Sequence, residues 1–559
     1  MPGIYGYTKN ESNEDNIHLM STALIVDSND LIIDDIVNDS SIQMSHIHLK
    51  STKNHKKTFN KNGIFISIQG EKYNYIENTF EELLYESYIN QKLKDILSKI
   101  DGYFHAIIYD SINKKVHLIT DRYGMSLLYY CYTDNKLAWS AEVKGLLALP
   151  RTDYTLNEVA INSFLELGYL VENETLLKNI ELVPPSTIIS YDLKSSNLEQ
   201  TTYWKWSEIK LQNVSFDSAV EQLGTLFLAS VKKRFSPDEK MGVSLSGGLD
   251  SRAIIAAVNT LYPDYIGELY TFGIEGCDDI EIAKIVAKKT KWKHTIYNFS
   301  ESNWFESRFN SIWRTDGMLS MMHMHGIEFL EEVSNKITFN LNGYAGDVVC
   351  GGGWLNHLPL DKQANNSDLK QFYKNQTDRV DFDSDFYAID KCEPHLLMNR
   401  VRRFTNMGSV NSLHKITQRK PFFDNNLIEF VYSLPDYYRK DNKLYADMLI
   451  KFFPDFFENI PWQKTRKTLL GKESNLLSYP KISRGYINYA KGIRDEEVLR
   501  KITNMLHYES SRYSKFTNID PISQYLNPHL ASFKVNHVEN IFRFVTLEYY
   551  LQRTSIFQS

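Results

Sequence analysis

The 559-residue sequence is poor in cysteine, has no extreme of charge and contains no long apolar run. Its four cysteines are scattered and form no Cys-x-x-Cys pair, which argues against a disulfide framework and against a zinc site. A net charge of -6 argues against a nucleic-acid binder. No segment reaches the roughly 18 apolar residues that a membrane span needs, and the start of the chain lacks the pattern of a signal peptide. We therefore expect a cytoplasmic protein of several domains, with no nucleic-acid and no membrane partner.

The sequence also lacks the Gly-x-x-x-x-Gly-Lys motif of P-loop proteins, but it contains another glycine-rich turn. Residues 246–251 read Ser-Gly-Gly-Leu-Asp-Ser, between an apolar, strand-like stretch at 243–245 and an apolar, helix-like stretch at 253–258. Glycines let backbone N–H groups approach an anion, and a helix N-terminus adds partial positive charge. A carboxylate beside a phosphate requires a divalent cation between them, usually Mg²⁺. The turn predicts a site for the phosphates of a nucleotide–Mg²⁺ complex, formed by Ser246, Gly247, Gly248, Asp250 and Ser251.

A second glycine-rich turn, residues 342–352, follows the predicted strand at 337–341 and carries one aspartate, Asp347. Parallel strands end at the same edge of a sheet, so Asp347 can lie opposite Asp250. Two carboxylates that share one Mg²⁺ would hold a departing pyrophosphate. We therefore predict Asp250 and Asp347 as the metal ligands.

The hydrophobic pattern changes near residue 200. Up to that point, short apolar runs separated by polar turns indicate a mainly β domain, and the polar stretch 192–202 is predicted as a linker. From residue 215 onwards helices alternate with strands, with an amphipathic helix at 217–234, strands at 269–273 and 337–341, and a helix at 279–290. This order is typical of a parallel α/β sheet, followed here by a largely helical C-terminal part. The predicted domains are 1–200 and 210–559.

Several further segments resemble signatures of the asparagine synthetase superfamily, which includes asparagine synthetases, β-lactam synthetases and lasso-peptide cyclases. Besides the two turns, these segments are Gln69-Gly70-Glu71, Asp101-Gly102-Tyr103-Phe104, Asp121-Arg122-Tyr123-Gly124, Leu128-Tyr129-Tyr130, Ser140-Ala141-Glu142-Val143-Lys144 and Arg419-Lys420-Pro421-Phe422-Phe423-Asp424. The resemblance implies an N-terminal Ntn-hydrolase-type glutamine amidotransferase domain and a doubly wound ATP-pyrophosphatase domain.

The resemblance also implies an activity and further site residues. The family adenylates a carboxylate with ATP and Mg²⁺, releases pyrophosphate, and joins the acyl group to an amine. The substrate would be a small-molecule or peptide carboxylate, and a homodimer is left open. By the same resemblance Lys443 and Lys464 would contact the pyrophosphate. The remaining nucleotide-binding residues would be Leu245, Phe272, Gly273 and Gly343.

Two departures from the family pattern affect the expected chemistry. The family's glutaminase needs a cysteine nucleophile at position 2, where this chain has Pro2. We therefore expect an N-terminal domain without glutaminase activity and an amine that belongs to the substrate, as in β-lactam synthetases and lasso cyclases. The second departure is Tyr344, which stands where asparagine synthetases have Glu and resembles the tyrosine base of β-lactam synthetases. A phenol needs help to act as a base at neutral pH, and Glu393 is the predicted helper.

Three alternatives remain open at this point. The chain could be an asparagine synthetase that uses free ammonia, an enzyme that amidates a glycan or sugar acid, or a non-catalytic nucleotide-binding scaffold. The segment from Met321 to His325 falls where the family forms its acceptor pocket, and a methionine-rich wall there would suit an apolar substrate.

Overall fold

Two antiparallel sheets of six strands each form the N-terminal part of the computed structural model. The structure describes residues 1–9, 15–26, 29–51, 59–74, 79–150, 155–382, 384–477 and 487–554. The strands of this part are β1 Gly3–Thr8, β2 Leu31–Asn38, β3 Ile42–Leu49, β4 Phe59–Lys61, β5 Ile64–Lys72, β6 Gly102–Asp110, β7 Lys115–Thr120, β8 Tyr129–Thr133, β9 Lys136–Ser140, β10 Ile180–Leu182, β11 Thr187–Asp192 and β12 Asn197–Thr202. Its helices are α1 Ile17–Leu24, α2 Phe80–Ile89, α3 Leu93–Leu97, α4 Val143–Leu147 and α5 Glu158–Leu167.

The two sheets face each other and bury one core between them. Their strand orders are β10-β8-β9-β1-β3-β2 and β12-β11-β7-β6-β5-β4. The first sheet contributes Ile4 and Trp139 to this core, and the second contributes Ile107 and Leu118. Strand β6 is buried throughout, because helix α2 covers its other face. The alternation of inward and outward residues along these strands is what the short apolar runs of the sequence predict.

The predicted linker at 192–202 is wrong, because most of it forms a hairpin. Strand β12 pairs with β11 from Thr187 opposite Thr202 to Asp192 opposite Asn197. Strand β12 lies at the edge of its sheet and is largely exposed, so its sequence lacks the apolar alternation that identifies a half-buried strand.

A five-stranded parallel sheet organises the C-terminal part, as predicted for an α/β fold. Its order is β15-β14-β13-β16-β17, with β13 Met241–Ser244, β14 Glu268–Gly273, β15 Lys293–Asn298, β16 Phe339–Leu341 and β17 Thr417–Arg419. The helices are α6 Phe216–Arg234, α7 Asp250–Leu261, α8 Asp278–Ala287, α9 Arg308–Arg314, α10 Leu330–Ser334, α11 Gly346–Val349, α12 Asn366–Tyr373, α13 Glu393–Leu396, α14 Asn406–Val410, α15 Asn425–Ser433, α16 Asp436–Arg439, α17 Lys443–Phe452, α18 Pro454–Phe457, α19 Tyr489–Gly492, α20 Glu496–Met505, α21 Asn527–Ala531 and α22 Val538–Thr554. A π-helical segment, Leu397–Thr405, joins α13 to α14.

The two parts share one continuous core and are joined by buried ion pairs. Arg234 binds Asp101 of the sandwich at 2.9 Å and Asp424 at 2.8 Å. Arg419 binds Glu71 at 2.6 Å. The carboxylates and Arg419 belong to segments that resemble the family signatures, so these signatures build the contact between the two parts. Among the described residues no helix has the length and apolarity to cross a membrane.

Candidate active site

The two glycine-rich turns meet at the carboxyl edge of the parallel sheet. The backbone N–H of Asp347 donates a hydrogen bond to Oδ2 of Asp250 at 2.9 Å. A Cβ added to Gly343 would lie 2.8 Å from the nitrogen of Ser251, and one added to Gly346 would lie 2.6 Å from Cγ of Asp250. Glycine is required at both positions, because the second turn packs directly on the first.

The carboxyl groups of both aspartates have raised pKa values. Burial, and then the charge of Asp347, raises the pKa of Asp250 well above its usual range. Asp347 opens into a cavity, yet burial by the surrounding protein raises its pKa, while the charges of Lys464 and Arg400 act in the opposite direction. These two carboxylates lie side by side and fit a divalent cation, which would remove their repulsion. In the described part of the chain no third acidic, histidine or cysteine side chain joins them. Phosphate and water oxygens would therefore complete the coordination of such an ion.

Two cavities meet at this pair. One has a volume of 590 Å³ and the other 840 Å³. Both are lined by Gly248, Leu249, Asp250 and Asp347. The first cavity continues between the sheet edge and the segment around His325, and the second continues toward Lys464 and Tyr445. The hydroxyl of Tyr445 also donates to Oδ1 of Asp250 at 3.2 Å. The aspartate pair is thus the point at which a molecule in one cavity reaches a molecule in the other.

Only some of the residues predicted in the first turn line the first cavity, and two of them present hydroxyl groups to it. Ser246 and Ser251 line this cavity, and their Oγ atoms lie 3.2 Å apart. The backbone N–H of Gly248 donates to Oγ of Ser246 at 3.2 Å. Phe272 and Gly343 line the cavity as well.

Three predicted nucleotide-binding residues are not among those that line the two cavities, and their role stays a prediction. The backbone N–H of Gly247 is buried and donates to Oδ1 of Asp279 at 2.8 Å. Leu245 is buried in the core, and its N–H pairs with the neighbouring strand. Gly273 packs against Cys277, and a Cβ added to Gly273 would lie 2.7 Å from Sγ of Cys277.

Lys464 lies on a loop that is fastened to the first turn. Gln463 donates from Nε2 to Oδ2 of Asp279 at 2.7 Å, and Arg252 donates to the carbonyls of Pro461 at 2.8 Å and Gly247 at 3.1 Å. Burial lowers the pKa of Arg252 to about 9. The sequence analysis missed Arg252, Asp279 and Gln463. The only signal in the sequence was the arginine that directly follows the Ser-Gly-Gly-Leu-Asp-Ser turn.

Two other predicted catalytic residues do not reach the cavities. Lys443 is exposed, and its ammonium lies 4.5 Å from the ring centre of Phe216 on helix α6. Glu393 is fully buried and is bound by both terminal nitrogens of Arg439. Each contacts a residue remote in sequence, which motif spacing does not reveal.

Tyr344 is not arranged as a base. Its hydroxyl donates to the carbonyl oxygen of Val401 at 2.7 Å, and its ring packs on Phe423. Burial raises the pKa of Tyr344 well above its usual range. The phenol already donates to a backbone carbonyl, and Glu393 is bound to Arg439 instead of accepting its proton. The predicted pairing of Tyr344 with Glu393 is wrong.

The wall of the first cavity is lined by histidine where methionine was predicted. Met321 and Met324 turn into the core, whereas His323 and His325 line the cavity with Phe404. A short 3₁₀ turn at Met321–His323 sets this arrangement of the side chains. Burial lowers the pKa of His323 to about 4, so this imidazole is neutral near pH 7.

Comparison with known families agrees with this arrangement. A family model described as a glutamine amidotransferase domain matches residues 1–204, and one described as asparagine synthase matches residues 222–418. The chain belongs to the asparagine synthetase superfamily. The asparagine synthase match includes both glycine-rich turns and ends within β17.

Curated members of this superfamily are distant relatives. The "Putative asparagine synthetase (glutamine-hydrolyzing) 2" of Methanocaldococcus jannaschii is 27% identical over 312 residues, which are 53% of this chain and 60% of that protein. A second such protein of that organism, "Putative asparagine synthetase (glutamine-hydrolyzing) 1", is 25% identical and covers 69% and 68% of the two chains. The asparagine synthetase (glutamine-hydrolyzing) 1 of Bacillus subtilis is 23% identical over 53% of this chain and 49% of its own. The chain thus spans about half to two thirds of the length of these relatives.

Proposed function

We propose that this protein is an ATP-dependent carbon–nitrogen ligase that activates a substrate carboxylate as an acyl-adenylate and couples it to an amine. The observation that carries the proposal is the Asp250–Asp347 pair at the junction of two cavities. One cavity can hold the adenylated acid and the other the pyrophosphate that leaves. A Mg²⁺ ion held by the two aspartates would neutralise the charge that develops on the phosphates.

The residues of the junction divide the work of the first step. A carboxylate oxygen attacks the α-phosphorus, the bond to the β-phosphate oxygen breaks, and pyrophosphate departs. Ser246 and Ser251 line the first cavity, where their hydroxyl groups can donate to phosphate oxygens. Gly248 lines the same cavity, with its N–H donating to Oγ of Ser246. Lys464 lines the second cavity, so its ammonium can compensate the negative charge of the leaving pyrophosphate.

In the second step the amine nitrogen attacks the acyl carbon, AMP departs, and the nitrogen loses a proton. The N-terminal domain would not supply this amine as ammonia. Pro2 replaces the nucleophile and is buried at the start of β1. The nearby cavity beside Glu142 measures only about 10 Å³, room for roughly one water and not for glutamine. The amine therefore comes from the substrate itself or from a second molecule, and the packing of Tyr344 gives no support to the tyrosine base of β-lactam synthetases.

The relatives favour one alternative for this second step. All three are named as glutamine-hydrolysing asparagine synthetases, two of them with the prefix "Putative" in one archaeon and the third in a bacterium. An asparagine synthetase that uses free ammonium is therefore the second candidate function. Aspartate with ammonium belongs in the assay, because asparagine formation would select this alternative.

The test is carboxylate-dependent exchange of labelled pyrophosphate into ATP by the full chain. The panel contains amino acids including aspartate, peptides with a free carboxylate, and sugar acids. We expect at least one acid to support exchange, and Asp347→Asn to abolish it. No exchange and no AMP formation with any acid, together with ATP binding, would instead indicate a non-catalytic nucleotide-binding protein.

A further inference from the structure

A smaller polar groove adjoins the first cavity. It has a volume of about 230 Å³ and shares His323 and Phe404 with the first cavity as lining residues. The two rings pack edge to face with centres 4.7 Å apart. Any elongated molecule that projects from the first cavity beyond these rings would enter this groove.

The charges of the groove are unevenly satisfied. Its carboxylate, Glu539, is bound by Arg543 at 2.9 Å, and Arg543 also donates to the carbonyl of Glu166. Lys374 donates to the same carbonyl at 3.2 Å. After these contacts the groove keeps an excess of positive charge, contributed by Lys374 and Arg400.

Arg400 is the residue that stands out. It lies half-buried in the π-helical segment, and among the described residues it has no hydrogen-bond or ion-pair partner. Its neighbours on the same segment are engaged, since Arg402 donates to the carbonyl of Val183 at 2.6 Å and Arg403 to that of Glu174 at 2.5 Å. A half-buried guanidinium whose five N–H donors bind no acceptor among the described residues is arranged to receive a planar anion. π-helical turns are often found at functional sites.

We propose that this groove binds an anionic group of the substrate, with Arg400 as its principal contact. The proposal rests on the proposed ligase function. The preferred acid would carry a second negative group, either carboxylate or phosphate, on the side of the molecule remote from the carboxylate that is activated. Arg400 is thus a specificity-determining residue, and the neutral His323 and Phe404 rings border the stem of the substrate.

The experiment measures pyrophosphate exchange with pairs of acids of equal chain length, α,ω-dicarboxylates against monocarboxylates, and with phosphorylated hydroxy acids. In the native protein we expect a lower KM for the doubly anionic acids. Arg400→Gln should raise that KM about tenfold or more, since a charge-assisted contact is lost, and leave the KM for monocarboxylates unchanged. Arg400→Lys should restore part of the difference. Lys370→Gln is the matched control, because Lys370 is exposed on the neighbouring helix α12 and does not line the groove.

Several results would overturn the proposal. These are equal KM values for the two classes of acid in the native protein, or an equal rise for both in Arg400→Gln. Binding of inorganic phosphate at Arg400 without any effect on the KM of the acids would show an ion site unconnected with substrate. If no acid supports exchange, the ligase function fails, and calorimetry with glutarate decides about the groove by itself. Binding by the native protein and not by Arg400→Gln supports an anion site, and absence of binding refutes it.

Discussion

Buried charge is arranged differently in the contact between the two parts of the chain and at the edge of the parallel sheet. In the contact, Lys144 lies between Glu142 at 3.0 Å and Asp316 at 3.1 Å. At the sheet edge Asp250 and Asp347 lie beside each other, and within the described residues neither forms an ion pair. Buried carboxylates that are paired with cationic side chains stabilise the folded structure. Two neighbouring carboxylates without such a partner repel each other and favour the binding of an external cation.

The same contrast holds for empty space. The cavity beside Glu142 has room for about one water, while the two cavities at the aspartate pair measure 590 and 840 Å³. The N-terminal sandwich contributes side chains that bind the other part, such as Asp101 and Glu71, whereas the two cavities at the aspartate pair are lined by residues of the C-terminal part. We infer that the sandwich serves as a structural partner and that the chemistry belongs to the parallel sheet.

The largest expected effect tests the uncompensated pair. Asp347→Asn removes half of the charge that would bind a cation, so exchange should fall by about 10³-fold or more. The measurement is the initial rate of exchange at saturating Mg²⁺. Asp455→Asn, at an exposed position outside both cavities, is the control and should keep the native rate. If the Asp347 variant kept most of the native rate, the proposed metal role would be wrong.

Lys464, which lines the second cavity, contrasts with Lys443, which lies outside it. Lys464→Ala should reduce turnover about 10²- to 10³-fold with little effect on ATP binding, because its charge is needed as pyrophosphate leaves. Lys443→Ala should stay within about twofold of the native rate, since Lys443 lies over Phe216 outside the cavities. Single-turnover pyrophosphate release and ATP affinity are measured for both. A large loss for Lys443 instead would favour the motif-based placement over the structure.

A substitution in the sandwich should change the stability of the protein and not the rate of exchange. His105 is buried, its Nε2 accepts the N–H of Ile4, and burial lowers its pKa to about 3. The folded state therefore holds the neutral ring, so its contribution is complete above pH 6.5 and is lost as the pH falls toward 3. Between pH 7.5 and 5 this single group accounts for about 2 kcal/mol of lost stability.

His105→Gln should thus flatten the pH dependence of denaturant unfolding by about that amount, with an unchanged rate of exchange at pH 7.5. His18→Gln is the control, because His18 is exposed in the same part of the chain. A loss of exchange activity in His105→Gln at neutral pH would show that the sandwich takes part in catalysis after all.

The sequence predicts features that depend on neighbouring residues. The helix at 217–234 appears as α6, capped by Ser215, and the two glycine-rich turns follow β13 and β16 as expected. Local composition also predicted the α/β class, since strands and helices alternate. Strand β12 was missed because an exposed edge strand owes its conformation to its partner and not to an apolar pattern.

The remaining site residues depend on contacts distant in sequence. Gly247 has the spacing of a phosphate-binding amide, but Asp279, thirty-two residues away, takes its N–H. Arg439 likewise engages the carboxylate of Glu393 in an ion pair. Tertiary packing determines which of several partners a group binds, and a sequence motif does not contain this information. For the same reason the contacts of Gln463 and Tyr445 could be found only in the structure.

The smallest expected effect concerns Tyr344. The structural and the catalytic interpretation of this residue predict different amide-forming rates for Tyr344→Phe. If Tyr344 packs as the structure shows, Tyr344→Phe loses one buried hydrogen bond to Val401 and about 1 kcal/mol of stability, with an amide-forming rate within about threefold of native. If it were the base that deprotonates the amine, the same change would lower that rate 10²-fold or more and leave pyrophosphate exchange intact. Measuring both rates beside denaturant unfolding separates the two, with Tyr437→Phe, on an exposed ring, as the reference. A selective loss of amide formation would return Tyr344 to the catalytic residues and bring this chain closer to the β-lactam synthetases.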